Sequence, residues 1–474
     1  MIKKILVLVF LANQLLAQKN PNVIFILADD LGYADVGCYG QKTLKTPNID
    51  ALAKGGIKFT QHYAGAPVCA PSRCALMTGK HVGHGSVRGN QPKGQLIKPD
   101  EITLSEVFKN AGYTTALIGK WGMGNAPEPN DPAINGFDYS FGYVNMWHAH
   151  NFYPEFLYRN AQKVALNNKT GNVPKGNLPE GVGLASVRNQ YAPDEFEKDA
   201  LEFISTNQKK PFFMYYAINT PHGNSEYKED GNGMEVPDTK AFDDKNWNKA
   251  EKSFAEMIRK LDLTVGNIKA KLKELGIEEN TMIVFASDNG PHAESGHNPD
   301  FFDSNGKLKG KKRDMYEGGI RVPFIVNYPA RIKSGQVSKQ VFAFWDFLPT
   351  ACELTNQEIP KGIDGISYLP TLFGKPQTKK HKYLYWEFYE EGGKQAILWN
   401  NWKGIKFNTN DASKTKFELY NLASDISETK DLASKNPQIV KKIEEMMTEA
   451  HQPFELTSLF KPDPSAQRDV QQKN

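Results

Sequence analysis

The stretch VIFILADDLG, from Val23 to Gly32, runs through six apolar residues into two adjacent aspartates. A continuous apolar run, rather than an alternating one, is typical of a strand that is buried on both faces of a parallel sheet. We therefore predict a strand that begins at Val23 and ends on the carboxylates of Asp29 and Asp30.

Three later segments repeat this design, because each runs from apolar residues into polar ones. TTALIGKWGMG reaches Lys120, PFFMYYAINTPH reaches His222, and TMIVFASDNG reaches Asp288 and Asn289. In open α/β sheets, ligands bind beyond the carboxyl ends of the strands. Four such polar ends, all of types that hold metals or anions, predict one shared site.

Helical patterns lie between these strands. TPNIDALAKGG offers Thr46 as the N-cap, Pro47 in the first turn and Gly55 as the stop. A longer helix is predicted between Phe254 and Leu275, where apolar residues recur every three or four positions. Alternating strands and helices predict an α/β fold, with a large, mainly parallel sheet sandwiched by helices.

The chain of 474 residues exceeds the usual size of one compact domain. After Leu372 the pattern changes to short strands with glycine turns, followed by a charged helix. We predict a signal peptide over residues 1–17 and a catalytic α/β domain over 18–372. A smaller C-terminal α+β subdomain over 373–460 and a polar tail over 461–474 complete the prediction.

The N-terminus is typical of an export signal. Lys3 and Lys4 precede a mostly apolar run that ends near the small residue Ala17. That run is too short to span a bilayer, and no later stretch is long and apolar enough. We therefore expect an exported protein, periplasmic or secreted, without a membrane anchor.

Charge and cysteine content narrow the function classes. The formal net charge is only +4, and no dense basic stripe with aromatic residues suggests nucleic-acid binding. Four cysteines make no disulfide framework in a chain of this size, and no zinc-ligand spacing appears. The local basic cluster in 307–313 is, taken by itself, expected to be a solvated loop.

The predicted strand ends supply oxygen ligands only: Asp29, Asp30, Asp288 and the amide of Asn289. Such a set suits a hard divalent cation, Ca²⁺ or Mg²⁺. Each motif alone is more simply interpreted as a turn, since both contain turn residues. Their shared position favours the metal.

Cationic residues complete this predicted centre. Arg73, Lys120 and Lys312 are candidates to surround an anion, and His222 is a candidate proton donor. A metal, three cations and a histidine suit a tetrahedral oxyanion ester. Spacing alone leaves sulfate and phosphate esters equally open.

One motif distinguishes these two esters. CAPSRCALMTG, Cys69–Gly79, matches the pattern C-x-P-S-R-x-x-L-x-T-G at every fixed position. The chain resembles the type I, formylglycine-dependent sulfatases, a family with an alkaline-phosphatase-like fold. The resemblance covers nearly the whole mature chain and includes ADDLG, GKWGMG, TPH, SDNG, KKRDMYEGGIRVP and ELYNL.

The resemblance implies that a maturation enzyme converts Cys69 to formylglycine, whose hydrated aldehyde attacks sulfur and later expels sulfate. It implies that Arg73 braces this diol, that Lys120 and Lys312 contact sulfate oxygens, and that His222 protonates the leaving group. The implied metal ligands are the modified residue 69 together with Asp29, Asp30, Asp288 and Asn289. Part of the basic cluster is thus expected to face the substrate.

The chain departs from the family pattern at Gly122, where many members have a histidine that helps the diol to collapse. Candidates to replace it are His81, His84, His148 and His150. Because His148 and His150 lie together in an aromatic-rich loop, this pair is the favoured substitute.

The expected substrate is a sulfated carbohydrate, since an exported sulfatase meets extracellular glycans. Residues that could hold sugar groups are His81, Arg88, Asn90, His148, His150 and Trp386. Core packing is the more common role of any single tryptophan. Two alternatives stay open: a phosphodiesterase or phosphonate monoester hydrolase of the same superfamily, and a non-catalytic glycan-binding homologue supported only by Gly122.

Overall fold

The computed structural model describes residues 20–90, 95–124, 132–173, 178–227 and 233–454. The predicted signal peptide, 1–17, and the predicted polar tail, 461–474, lie outside these ranges.

A ten-stranded sheet forms the centre of the molecule. The strands of the chain are β1 (Asn22–Asp29), β2 (Ile57–Phe59), β3 (His62–Tyr63), β4 (Thr114–Lys120), β5 (Tyr139–Tyr143), β6 (Phe156–Arg159), β7 (Gln162–Ala165), β8 (Lys169–Asn172), β9 (Leu184–Val187), β10 (Phe212–Pro221), β11 (Thr281–Ser287), β12 (Phe324–Asn327), β13 (Gln336–Ser338), β14 (Phe342–Ala343), β15 (Leu384–Phe388), β16 (Lys394–Trp399), β17 (Trp402–Phe407) and β18 (Lys416–Asn421). The order in the large sheet is β13-β2-β12-β11-β1-β10-β4-β5-β6-β7.

The five central strands, β11-β1-β10-β4-β5, run parallel. β1 lies between β10 and β11, with Phe25 opposite Tyr215 on one side and Val284 on the other. Every residue of β1 is buried, as the unbroken apolar run predicts. Parallel alignment brings the carboxyl ends of these strands to one edge of the sheet.

Helices cover both faces of the sheet. They are α1 (Pro47–Gly55), α2 (Cys69–Thr78), α3 (Leu104–Asn110), α4 (Ala192–Asn207), α5 (Lys249–Glu274), α6 (Glu317–Ile320), α7 (Phe347–Thr355), α8 (Leu369–Leu372) and α9 (Pro437–Ala450). Phe25 and Leu27 of β1 pack with α2, α3 and α7, whereas Ile24 and Ile26 pack with α1, α4 and α5. The predicted sandwich of helices around a mainly parallel sheet is confirmed.

Two details of the predicted helices differ. The Thr46 side chain does not cap α1, because its hydroxyl accepts a hydrogen bond from the backbone N–H of Gly37 at 2.8 Å. The long helix begins at Lys249 rather than Phe254, since Asn248 caps it by accepting from the N–H of Glu251. The prediction rested on the spacing of apolar residues, and that spacing does not extend into this polar first turn.

A small four-stranded antiparallel sheet, β15-β16-β17-β18, follows the large one. Helix α9 packs on one face through Ile443 and Met446. The opposite face contacts the large domain through Trp386, whose indole N–H donates to the carbonyl of Ala64 at 2.9 Å. A C-terminal α+β unit of the predicted kind is therefore present.

The four cysteines, all within the described ranges, are free thiols, and none forms a disulfide. No helix among the described residues has the length and apolarity needed to cross a bilayer.

Candidate active site

The side chains predicted to share one site meet at the carboxyl edge of the parallel strands. Asp29 ends β1 and Lys120 ends β4, while His222 follows β10 and Asp288 follows β11. All four side chains are almost completely buried. The parallel register explains this convergence, because it aligns the last residue of each strand.

Cys69 is the first residue of α2 and faces this cluster. Its sulfur lies 3.3 Å from a carboxylate oxygen of Asp29 and 3.9 Å from one of Asp30. Burial and the negative charge of Asp29 raise the pKa of Cys69 well above its usual value. As a protonated thiol it is a poor nucleophile, since the thiolate is the reactive form.

Oxygen atoms of three adjacent residues form the candidate metal site. Asp30 has a left-handed backbone (φ 64°), and its N–H donates to the Asp288 carboxylate at 3.0 Å. The amide nitrogen of Asn289 donates to Asp30 at 2.7 Å, whereas its side-chain oxygen is buried and has no hydrogen-bond partner among the described residues. An unpartnered amide oxygen beside carboxylates fits a hard divalent cation.

Arg73 and Lys120 balance the carboxylates from the side of α2 and β4. The Arg73 guanidinium donates twice to Asp288, at 2.8 and 3.1 Å, and once to the carbonyl of Lys120 at 2.8 Å. The Lys120 ammonium lies 2.7 Å from Asp29. Burial alone would raise the pKa of Asp29, but Lys120 and Arg73 hold it well below its usual value.

Lys312 reaches the site from the loop before α6. Backbone hydrogen bonds fix this loop: Lys312 donates to the carbonyl of Pro291, and Arg313 donates to that of Pro67. The Lys312 ammonium lies 2.8 Å from Asp30 and 2.9 Å from Nε2 of His222. Opposing burial, the charges of Asp30 and Glu294 hold the pKa of Lys312 well above its usual value.

The solvated-loop expectation for the basic cluster is thus wrong for Lys312, which is only 7% exposed. It is also wrong for Lys309, whose ammonium lies 3.8 Å from the ring centroid of Tyr316 and donates to the carbonyl of Glu428. Lys307 is exposed, as expected. The carboxylates and aromatic rings brought close by folding account for the difference.

The structure separates the favoured histidine pair. The His150 ring stacks on His222 with centroids 4.4 Å apart, and its Nδ1 lies 3.0 Å from a carboxylate oxygen of Glu226. His148 instead packs against Tyr143 and Phe156, and burial lowers its pKa to about 3. Only His150 therefore lies beside the candidate proton donor.

His222 is held as a neutral ring. Burial, the charge of Lys312 and the adjacent His150 all lower its pKa well below the usual value. Its Nδ1 bonds the carbonyl of Gly223, which leaves Nε2 directed towards Lys312 and Asp30. A neutral ring can accept a proton from its neighbour and pass it on.

The other predicted sugar contacts occupy different surroundings. Arg88 is buried and pairs with Glu387 at 3.0 Å, which links the large domain to the small sheet. Trp386 is fully buried in the core, so the predicted substrate contact is wrong and the packing role holds. Asn90 accepts a hydrogen bond from the N–H of Ala70 at 3.0 Å and so braces the first turn of α2 beside Cys69.

His81 lies beyond the opposite end of α2, next to His84 and Asp364. Burial is the main cause that lowers its pKa to about 4. Neither His81 nor His84 contacts His222 or Cys69 among the described interactions, so neither replaces the histidine absent at Gly122.

Gly122 has a positive φ of 77°, a conformation that side chains rarely adopt. A Cβ atom here would lie 3.3 Å from Cδ of Arg73 and 3.6 Å from Cε of Lys120. The local backbone and this crowding account for the glycine.

Sequence reasoning missed three residues around the centre: Glu226, His292 and Glu294. Glu294 lies 3.2 Å from the Lys312 ammonium and accepts from the Ser225 hydroxyl at 2.5 Å. The His292 ring stacks at 5.8 Å from His222. The position of His292 and Glu294 in the sequence could have indicated them, because both follow Asp288 and Asn289 in the same loop.

The fold and this site define a hydrolase, and comparisons with known proteins identify its family. A family model described as Sulfatase matches residues 21–357, and one described as N-sulphoglucosamine sulphohydrolase, C-terminal, matches residues 309–453. The chain belongs to the sulfatase family and is a sulfuric ester hydrolase.

Similar proteins include an N-acetylgalactosamine-6-O-sulfatase of Bacteroides thetaiotaomicron, 28% identical over 90% of this chain and 93% of the relative. An N-acetylgalactosamine-6-sulfatase of Canis lupus familiaris is 31% identical over 78% of this chain and 69% of the relative. A crystal structure of Ps i-CgsB in complex with k-i-k-neocarrahexaose aligns with a TM-score of 0.75 at 28% identity, covering 96% of this chain and 97% of the other.

The phosphonate monoester hydrolase of Agrobacterium radiobacter also aligns, with a TM-score of 0.63. It covers 91% of this chain and 95% of its own at 21% identity, so the likeness shows a shared fold alone. The two relatives named above by their activity, which are 28% and 31% identical to this chain, are both sulfatases.

Proposed function

We propose that the protein is an exported sulfatase that removes sulfate from a carbohydrate, using a formylglycine made from Cys69 and a bound divalent cation. The observation that carries the proposal is the placement of Cys69, at the first position of α2, against the carboxylates of Asp29 and Asp30. An aldehyde hydrate made from this residue would lie beside the carboxylates that we propose to hold the cation.

Asp29, Asp30, Asp288 and Asn289 would hold the cation, which we take to be Ca²⁺, with Mg²⁺ as the alternative. The unpartnered oxygen of Asn289 supports this assignment. When present, the cation and the aldehyde would supply an activated hydroxyl that attacks sulfur and a second hydroxyl that allows sulfate to be expelled. Installing the aldehyde requires a formylglycine-generating maturation enzyme as a partner.

The chain's own residues would bind and orient the sulfate group. Arg73 is fixed by Asp288 and the carbonyl of Lys120, so it can brace residue 69 without reorganising. Lys120 and Lys312 would turn from their carboxylates towards the sulfate oxygens. Ordered cations of this kind stabilise charge that develops in the transition state.

His222 would protonate the leaving oxygen. Its Nε2 is directed into the site, towards Lys312 and Asp30, and is the ring atom that would carry the proton to the leaving oxygen.

His150 takes the role of the histidine absent at Gly122 in this proposal. Glu226 holds its Nδ1, so Nε2 remains available to accept a proton. The ring stacks on His222, the proposed proton donor, with centroids 4.4 Å apart, which supports a role close to the reacting group. His148, packed among aromatic rings, takes no part.

Two of the similar proteins support a carbohydrate substrate. An N-acetylgalactosamine-6-O-sulfatase and a structure in complex with k-i-k-neocarrahexaose are both similar to this chain at 28% identity. A sulfated glycan outside the cytoplasm agrees with the predicted signal peptide over 1–17. Within this proposal, residues 18–372 form the catalytic domain and 373–460 the C-terminal subdomain.

The test measures sulfate release from a panel of sulfated mono- and oligosaccharides, beside phosphate release from matched phosphate esters. The protein is expressed with maturation machinery and compared with Cys69→Ala. Cys74→Ala serves as the matched control, because Cys74 is buried in the same helix but packs in the core. We expect the Cys69 variant alone to lose activity, by about 10⁴-fold or more.

Faster phosphate release than sulfate release would contradict the proposed substrate. Equal rates for wild type and Cys69→Ala on every sugar would contradict the mechanism and favour a binding protein.

A further inference from the structure

A second cluster of metal-binding side chains lies outside the active site. It consists of His81, His84 and Asp364, whose ligand atoms all lie within 4.8 Å of one another. His81 and His84 follow the C-terminal end of α2, whereas Cys69 is its first residue. A ten-residue helix is about 15 Å long, so the cluster lies well away from the candidate active site at the carboxyl ends of the strands.

One carboxylate oxygen of Asp364 lies close to both imidazole rings. Oδ1 of Asp364 lies 2.8 Å from Nδ1 of His84 and 3.6 Å from Nε2 of His81. The two rings are themselves close, with centroids 4.2 Å apart. Three donor atoms of two types thus converge on one small volume.

The backbone fixes Asp364 for this role. Its N–H donates to the carbonyl of Gly79 at 2.9 Å, and its second oxygen, Oδ2, accepts from the N–H of His81 at 3.0 Å. The carboxylate therefore cannot rotate freely, and Oδ1 stays directed at the two rings. Such preorganisation is a requirement of a protein metal site.

Among the ion pairs of the described residues, Asp364 meets only the two histidines and no lysine or arginine. Its side chain is 18% exposed, so solvent screens the charge only in part. A cation bound here would meet a partly buried carboxylate that forms no ion pair with a lysine or arginine among the described residues.

His81 is unsatisfied as well. The residue is 7% exposed, and its Nδ1 has no hydrogen-bond partner among the described residues. Its Nε2 points at Asp364 from 3.6 Å, beyond hydrogen-bond distance. A buried imidazole aimed at a carboxylate, without a bond to it, suggests that a third group belongs between them.

We propose that His81, His84 and Asp364 bind one divalent cation of the zinc class. Two imidazoles and one carboxylate are a known ligand combination for Zn²⁺, and a water molecule completes four-coordination. The nitrogen donors separate this site from the strand-end site, whose carboxylates, amide and thiol precursor suit Ca²⁺ or Mg²⁺. The cation would join the loop after α2 to the segment that follows α7.

The position gives the site a structural consequence. The His81 ring packs edge-on against Tyr385 of the small sheet at 5.3 Å and against Trp345 of the large domain at 6.0 Å. A cation that fixes this ring would also stiffen the contact between the two domains. We therefore expect binding to raise the melting temperature of the full chain.

The experiment uses the full-length protein, stripped with a chelator and then saturated with Ca²⁺ to fill the strand-end site. Zn²⁺ alone is titrated by calorimetry, and Co²⁺ replaces it as a visible-absorption probe. We expect one Zn²⁺ per chain and a tetrahedral Co²⁺ absorption band in the wild type.

Two variants locate the site. His84→Gln and Asp364→Asn should each weaken Zn²⁺ binding at least about 100-fold. His381→Gln is the matched control, because His381 forms a comparable buried pair with Asp346 at 2.8 Å, and no third metal-binding side chain of the described residues joins them. Its Zn²⁺ affinity should equal that of the wild type.

Several outcomes would overturn the proposal. They are no Zn²⁺ heat and no Co²⁺ band in the Ca²⁺-saturated wild type, unchanged binding in His84→Gln, and binding lost only in Asp288→Asn. The Co²⁺ measurement needs only the wild type, so a variant that fails to fold does not leave the question open.

Discussion

Two buried ionic clusters of the molecule use similar residues for different ends. At the domain interface, Glu317 of α6 accepts from Tyr63 at 2.9 Å, Arg321 at 3.1 Å and Lys403 at 2.8 Å. At the strand ends, carboxylates also meet cations at 2.7–2.8 Å. The distances between carboxylates and cations are similar in the two clusters, but the numbers of carboxylates and cations differ.

The interface cluster has two carboxylates and two cations: Glu317, Glu428, Arg321 and Lys403. The strand-end cluster has four carboxylates and three cations: Asp29, Asp30, Asp288, Glu294, Arg73, Lys120 and Lys312. Each cluster also contains a buried oxygen without a hydrogen-bond partner among the described residues: Oε1 of Glu428 in the first and the side-chain oxygen of Asn289 in the second. The clusters differ in formal charge, because carboxylates and cations are equal in number in the first, whereas the second has one carboxylate more than it has cations.

The largest effect is expected from a substitution that disrupts the interface cluster. Lys403→Met leaves Glu317 and Glu428 buried without their shared cation, so the free energy of unfolding should fall by about 3–5 kcal/mol. Urea denaturation measures this loss. Lys414→Met is the control, since Lys414 is 74% exposed in its pair with Asp411 and should change stability by less than about 1 kcal/mol. Equal losses in both variants would remove the distinction.

The next effect tests the strand-end cluster through catalysis. Lys312→Ala should lower kcat/KM for a sulfated sugar by about 10²–10³-fold, because a fixed cation is lost from the sulfate site. Lys307→Ala, an exposed neighbour in the same basic cluster, is the control and should retain full activity. A loss below tenfold at Lys312 would remove it from the sulfate site.

The two histidines of one loop provide a smaller and sharper contrast. His150→Asn should lower kcat by about 10²-fold, as expected when a general base is removed. His148→Asn should instead lower the melting temperature and leave kcat per folded molecule unchanged, since its ring packs on Tyr143 and Phe156. If His148→Asn lowered kcat and His150→Asn lowered only the melting temperature, the roles proposed for the two histidines would be reversed.

The smallest effect is a pH dependence of cation binding. Burial and the neighbouring Asp29 raise the pKa of Asp288 to about 7, so the metal-free site retains a proton there as the pH falls. A cation must displace that proton, and its affinity should therefore fall about fivefold from pH 7 to pH 6 while changing little above pH 8. Calorimetry in buffers of different ionisation enthalpy measures the released proton. A flat profile would show that Asp288 is ionised throughout.

The sequence predicted the fold and the strand-end residues well for a physical reason. A buried parallel strand leaves an unbroken apolar run, and its end is marked where Asp29, Lys120 or Asp288 interrupts that run. Once the strands are known to be parallel, their ends must meet. Proximity in space then follows from the pattern without knowledge of any contact.

The same reasoning failed where a residue's partner lies far along the chain. Arg88 pairs with Glu387, 299 positions away, and Trp386 packs against Tyr63 across the domain interface. Neither pairing leaves a periodic signal in the sequence, so the ion pair of Arg88 and the core position of Trp386 were not predicted. Glu294 was missed because the loop after Asn289 has no periodicity, although folding brings it to Lys312.

The central claim is that Cys69 does not remain a cysteine, and one digestion tests it with an internal control. Trypsin cleavage after Lys58, Arg73 and Lys80 places Cys69 in the peptide 59–73 and Cys74 in the peptide 74–80. Mass spectrometry of the protein made with maturation machinery should find an aldehyde in the first peptide and an alkylatable thiol in the second. An unmodified thiol at Cys69 in protein that releases sulfate would contradict the account.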